Sequence, residues 1–496
     1  MIGRYEDKEI EEIWSTEHKL RQWQNVELKT LEARANAGEV EQEAVTEISE
    51  RLRASPIDLA WFNEEERRVG HDYNAFIAER RRYLPENLAR FFHEKLTSYD
   101  GEEYPFAVRI HLSCRMIRHK IQALHGALWR GINAYRFVPM MERTHGRLAE
   151  IQSLGRCFIT WCQPLRNGLE HLEYAENELK WSKLSGAIGT NSGLSFALEQ
   201  KALGLLGAKQ YIGATQIMPR ILYSPIANAL ADIATWLEKI AFDLWLGSRD
   251  PYPRWEEPFA ESQKGSSAMP HKKNPITLEK VRGMARCARA YAHAIQENIA
   301  TPEGRDISQS SVERIAWPDI FHTLCHMLDC VRKVIDGLVV YPDNLAREII
   351  ESRGTYASSK AKDLLAEWLT GTITVEEVYR IIQLAAFNAF QPGETDRDCR
   401  LAKLESVTDA DYLVYNIAQA PFKEPISIKD IIMTGTLKLA PSIAMDNEKK
   451  LEINRWNIAL KTLFSDPDRC EKWRSIFEPS YWLEAAEPQF KAVLRT

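Results

Sequence analysis

Residues 265–275 read Gly-Ser-Ser-Ala-Met-Pro-His-Lys-Lys-Asn-Pro. Gly265 allows backbone angles closed to other residues and lets the main chain approach a ligand closely. Ser266 and Ser267 offer small hydroxyls, and Lys272 and Lys273 place positive charge beside them. Asn274 is a good N-cap and Pro275 a good first helical residue. The run that follows, ITLEKVRGMARCARAYAHAIQEN, has the pattern of a long helix. The stretch therefore reads as a loop that brings hydroxyls and a cation to a helix N-terminus, an end that attracts anions.

Working outward, the 496 residues suffice for a large core and more than one domain. A formal net charge of -6 over that length excludes a chain-wide nucleic-acid footprint and a polybasic membrane tail. The opening MIGRYEDKEIEEIW is charged and helix-patterned, unlike a signal peptide. The most apolar segment, 223–246, is interrupted by Asp232, Glu238, Lys239 and Asp243, so no membrane span is expected. The 8 cysteines and 12 histidines show no metal-ligand spacing and no disulfide framework. Reduced thiols, a cytoplasmic location and no metal or organic cofactor are the expectations.

Most of the chain is helical in pattern. Residues 6–37 carry apolar positions at helical spacing, which leaves Arg4 and Tyr5 just ahead of a helix. His71-Asp72 follow Gly70 and precede an apolar helical face that includes Phe76. Taken alone, such a pair is a polar loop or a helix cap. Thr97 and Ser98 read as turn or cap hydroxyls, and a helix is expected over 107–136. His145 stands in ERTHGRLAE, and Gln216 in GATQIMPR. The three-four spacing of Ile226, Leu230, Ile233, Trp236, Leu237, Ile240 and Leu244 marks a long amphipathic helix, with alanines that permit close helix approach. Together with the helix after Pro275 this reads as a bundle of long helices. Arg305, Ser310 and Arg314 gather two guanidinium forks and a hydroxyl, groups suited to phosphate oxygens. From about 369 a smaller helical region follows. Residues 423–450 read as irregular, and a tail with Trp456, Trp473 and Trp482 reads as folded.

These motifs resemble the fumarase/aspartase superfamily, and within it the adenylosuccinate lyases. The resemblance is carried by GSSAMPHKKNP at 265–275, Arg4-Tyr5 ahead of Ile13-Trp14, His71-Asp72, Leu-Thr-Ser-Tyr-Asp at 96–100, Thr144-His145 and RDISQSSVER at 305–314. It implies an all-α, three-domain fold: a helical domain over 1–111, a central long-helix bundle over 112–368 with a catalytic loop at 258–276, and a C-terminal helical domain with an extension over 369–496. It implies a C–N lyase that releases fumarate from adenylosuccinate to leave AMP, and from the succinylated aminoimidazole carboxamide ribotide of purine synthesis. Ser266 is then the base, His145 the general acid and Glu279 the group that orients it. Lys272 stabilises the carbanion-like intermediate, and His71 completes the catalytic set. Arg4, Tyr5, Asp72, Thr97, Ser98, Gln216, Ser267, Asn274, Arg305, Ser310 and Arg314 hold the substrate. The partners implied are a small nucleotide and three further copies of the chain, in a homotetramer with shared active sites. The chain departs from the family pattern at Val69, Tyr99, Arg147 and Gly304. Two other readings stand beside this one: a superfamily lyase acting on a different succinylated amine, and an inactive helical scaffold that kept the fold.

Overall fold

The structure is a computed structural model and describes residues 1–260, 262–390, 426–439 and 447–493. It is an all-α, multi-domain protein, and the strands among the described residues are short. Two compact units emerge. One comprises Met1–Trp129, Trp161–Arg249 and Trp255–Val339; the other comprises Arg130–Thr160, Asp250–Arg254 and Val340–Thr496.

The first unit is built on three long helices, Ser224–Gly247, Ile276–Glu297 and Ser308–Asp336, with the middle one packed on both others. The stripe of Ile226, Leu230, Ile233, Leu237, Ile240 and Leu244 is buried, as its spacing predicts, while Trp236 is only half-buried and donates its indole N–H to the Trp161 carbonyl. The middle helix buries Val281, Ala285, Ala288 and Ala292, whose small side chains let the helices close up. Each fully buried leucine or isoleucine contributes roughly 1.5–3 kcal/mol over exposure. A second core surrounds Trp23, Phe62, Tyr73, Phe76 and Phe92. The expected single helix over 6–37 is two, Lys8–Trp14 and Thr16–Asn36, because Ser15 caps the second by accepting from the His18 N–H.

The Ser98–Ala134 helix is 37 residues long and begins well before the expected 107. Pro105 is the eighth residue of this helix, where it cannot donate to the Gly101 carbonyl one turn earlier, and Thr97 with Asp100 supplies the start signal. A Cβ on Gly101 would fall 1.7 Å from the Tyr73 hydroxyl, so only glycine lets this helix approach Tyr73. At the helix after the loop, Pro275, not Asn274, is the N-cap, with no side-chain bond of its own. The buried Glu257 carboxylate takes over, accepting from the Thr277 and Leu278 N–H groups at 3.2 Å. That helix end already holds an anion.

The second unit holds an antiparallel hairpin, Pro139–Thr144 with Arg147–Ser153, and helices around Tyr356, Ile381, Ile432, Trp456, Trp473 and Trp482. The three tryptophans expected to mark a folded tail are buried. Of the segment read as irregular, 423–425 and 440–446 lie outside the described residues. No helix among the described residues is long and apolar enough to cross a membrane.

Beneath the first unit's surface Arg220 lies between two carboxylates. It donates to Glu103 at 2.8 Å and to Glu313 at 2.7 Å, and its guanidinium is stacked near Phe106 and Tyr223. Removing one partner of a buried ion pair leaves uncompensated charge. Arg220→Met is therefore expected to destabilise the protein by about 3–5 kcal/mol, read from urea unfolding; a loss below about 1 kcal/mol would show that the two carboxyls simply take up protons.

Candidate active site

A cavity of about 330 Å³ in the first unit gathers seven of the expected site residues: His71, Asp72, Thr97, Ser98, Gln216, Arg305 and Arg314. Each wall has a local cause. The Leu59–Val69 helix ends at Gly70 in the left-handed conformation, and His71 then caps the Asp72–Arg81 helix. His71 Nδ1 accepts from the Asn74 N–H at 3.4 Å, so the neutral ring carries its proton on Nε2. Thr97 donates both its N–H and its hydroxyl to Asp100 Oδ2, at 2.8 and 2.9 Å, and so opens the long helix. Ser98 follows at the rim.

Asp72 is buried, yet its carboxyl stays below the usual range. Burial pushes it up, but Lys19 at 3.2 Å and Arg314 at 3.0 Å outweigh that. Arg305 is in the opposite situation. Its guanidinium lies 3.6 Å from the centre of the Tyr99 ring and donates to Gln216 Oε1 at 3.0 Å. Its Nε is buried without a hydrogen-bond partner, and none of the described carboxylates forms an ion pair with it. A guanidinium held flat, half-dehydrated and facing a cavity is a ready anion site.

A second cavity of about 390 Å³ adjoins this one, with Tyr99, Glu102 and Arg314 lining both. Ser310 lies there, away from the first cavity, although sequence grouped it with Arg305 and Arg314. Arg4 and Tyr5 line a third cleft with Lys280 and His326. No residue of the 265–275 loop lines the two adjoining cavities. Within that loop the Ser266 hydroxyl accepts from the Met269 N–H at 3.3 Å, and the Ser266 N–H donates to the Lys272 carbonyl at 3.2 Å. Ser267 and Lys272 are exposed, and Asn274 is half-buried.

His145 belongs to the second unit. It sits with Gly146 at the two-residue tip of the hairpin, both at positive φ (53° and 74°), the geometry of a tight turn matched to strand twist. The imidazole is exposed. The hairpin is anchored below its tip. Arg254 donates to the Met141 carbonyl beside the bulge at 2.8 Å, and Glu348 accepts from both Arg254 and Arg143. Glu279 belongs to the first unit, where it accepts from the Trp245 indole at 3.3 Å.

The chain has relatives among known proteins. A family model described as lyase matches residues 2–289. The adenylosuccinate lyase of Thermotoga maritima is 33% identical over 391 residues, covering 79% of this chain and 89% of that one. That of Aquifex aeolicus is 33% identical over 401 residues, 81% and 91% of the two chains. The chain belongs to the adenylosuccinate lyase family. In fold it is also similar to a fumarate lyase from Mesorhizobium sp. BNC1, with a TM-score of 0.72 at 17% identity over 96% of this chain and 99% of that one.

Among residues that sequence reading passed over in this adenylosuccinate lyase family member, Lys183 is foremost. It is 0% exposed, as is Asp100, and the two are 2.8 Å apart. Its ammonium also donates to the carbonyls of Gly186 at 3.0 Å and Gln216 at 2.8 Å. Asp100 in turn accepts from the Gly186 N–H at 3.1 Å. One buried cation thus ties the Thr97 turn to the stretch of chain that carries Gln216. The available signal was a lysine inside the glycine-containing KLSGAIGTN, a place where charge has little reason to be solvated. Lys183→Met is expected to lower stability by about 3–5 kcal/mol, and adding Asp100→Asn should recover about 1 kcal/mol or more. Strictly additive losses in denaturant titrations would show that the pair is not coupled.

Proposed function

We propose that the chain is an adenylosuccinate lyase, eliminating fumarate from adenylosuccinate to give AMP and acting likewise on the succinylated aminoimidazole carboxamide ribotide in purine synthesis. The observation that carries this is the cavity joining His71, Asp72, Thr97, Ser98, Gln216, Arg305 and Arg314, with Arg305 lacking a carboxylate partner among the described residues, in a chain of this family. An anionic substrate supplies the missing counter-charge.

The chemistry requires a proton to leave the carbon next to a carboxylate as the C–N bond breaks. In this proposal ionised Ser266 takes that proton. A free hydroxyl is far too weak a base, so Lys272 and main-chain N–H groups must stabilise both the alkoxide and the intermediate. The electron pair forms the double bond of fumarate, and the leaving nitrogen takes a proton from His145, which Glu279 orients. Ser267 and Asn274 hold the succinyl carboxylates. Arg4, Tyr5, Asp72, Ser310 and Arg314 hold the nucleotide, with His71 positioned between the two parts. Because the loop, the Arg4–Tyr5 cleft and the His71 cavity are lined by different residues, the proposal includes a homotetramer that completes each site from several copies. The three-domain division at 111/112 and 368/369 and a cytoplasmic location belong to the same proposal.

Purified protein is expected to convert adenylosuccinate to AMP and fumarate, followed by purine absorbance. A folded protein inactive on it but active on another succinylated amine would redirect the assignment, and one inactive on a full panel would be a scaffold. Ser266→Ala and His145→Ala are each expected to cut kcat by about 10²–10⁴ while substrate still binds. Near-normal turnover in either removes that residue from its role.

A further inference from the structure

Glu102 is the one carboxylate on the wall between the two adjoining cavities, and the chemistry above gives it no task. It lies one helical turn after Ser98, on the same face. Among the described residues nothing donates a hydrogen bond to it or pairs with it within 4 Å. The surrounding charges explain why. Across the cavity, Asp72 on the Asp72–Arg81 helix already holds Lys19 from the Thr16–Asn36 helix and Arg314 from the Ser308–Asp336 helix. On its own helix, Glu103 is paired with Arg220, which also holds Glu313. Arg305 is stacked on Tyr99 and bonded to Gln216. Glu66 and His71 border the cavity of about 330 Å³; Glu11, Arg109, Asp319 and His322 border that of about 390 Å³. Lys19, Arg220 and Arg314 are thus committed to other carboxylates, and the two arginines without one, Arg305 and Arg109, are held on the rings of Tyr99 and Trp14.

We propose that Glu102 is a proton-linked selector of the substrate pocket: it takes a proton from solvent as a phosphorylated, anionic ligand enters, turning a like-charge clash into a donated hydrogen bond. This rests on the reading of the pocket as a nucleotide site. Burial first, then the facing Asp72, push the Glu102 carboxyl up to about 7, with Lys19 and Arg314 opposing. It is therefore half-protonated in the neutral range, where a small change of environment decides its state. An arriving phosphate adds negative charge and raises the carboxyl further, so binding and proton uptake are coupled. Below about 7 the acid is neutral and binding is tight; above it, each bound ligand must import a proton, and affinity falls with pH. The phosphate's own titration works the other way, since the dianion that binds best forms as pH rises.

The test uses AMP and the full-length protein. Calorimetric titrations are run at pH 6.0, 7.5 and 8.5, in two buffers of different ionisation enthalpy, on wild type and Glu102→Gln. Wild type is expected to bind AMP up to about tenfold more weakly per pH unit above 7. At pH 7.5 it should take up more protons on binding than Glu102→Gln does, by about half a proton or more. The glutamine, a permanent donor, should hold the tighter low-pH affinity across the range. Equal proton uptake in both proteins, with AMP binding intact, overturns the role of Glu102 and leaves the nucleotide reading standing. No binding of AMP to wild type overturns both. Should Glu102→Gln fail to fold, a wild-type affinity that is flat or rises between pH 7 and 8.5 overturns the proposal by itself.

Discussion

The candidate site depends on a cation kept out of water. Lys183 is wholly enclosed, and a bare ammonium there would be prohibitively costly. It is tolerable because one carboxylate and two carbonyls surround it. Those three acceptors come from separate parts of the chain: the start of the longest helix, the loop at Gly186 and the segment of Gln216. The cost of burying the charge thus becomes a constraint on geometry. All three must arrive together, or the lysine is left unpaired. The Thr97 turn, the side of the cavity that carries Arg305 and the position of Ser98 follow from that arrangement.

Around this knot, the pocket works by local imbalance against a nearly neutral background. The protein as a whole carries a formal charge of -6. In the proposed function, attraction for an anion comes from the single guanidinium of Arg305, whose partners are an amide and an aromatic ring. Arg314 is different, since it is shared with Asp72. The two arginines read as equals in RDISQSSVER, yet one is held ready and the other is already committed.

Much of the fold was legible because its signals are periodic and long. The stripe from Ile226 to Leu244 and the helix after Pro275 could hardly fold otherwise, and the site motifs are unusually specific strings. What escaped was set by partners distant in sequence. The Ser98 helix start was hidden by Pro105, which the helix carries inside it although a proline there removes one hydrogen bond of the ladder. Ser15 broke a seemingly continuous helix through one capping bond. The hairpin that carries His145 gave no alternating pattern strong enough to overrule its surroundings, although His-Gly at its tip suits the turn. Lys183 and Glu102 look like ordinary surface charges until their neighbours are known. Nor could spacing tell that Ser310 faces a different cavity from Arg305, five residues earlier.

The Glu257 cap has a further consequence. Its carboxylate bonds to residues 277 and 278, while its own backbone immediately precedes 258. The ends of the 258–276 segment are thus stapled to each other at the base of the bundle. The entropy of closing that loop is met by the staple, whatever path the chain takes between its ends. The segment is in effect a cassette: the helices below do not depend on the path it takes, so what constrains its sequence is the proposed chemistry of Ser266, Ser267, Lys272 and Asn274, not the fold.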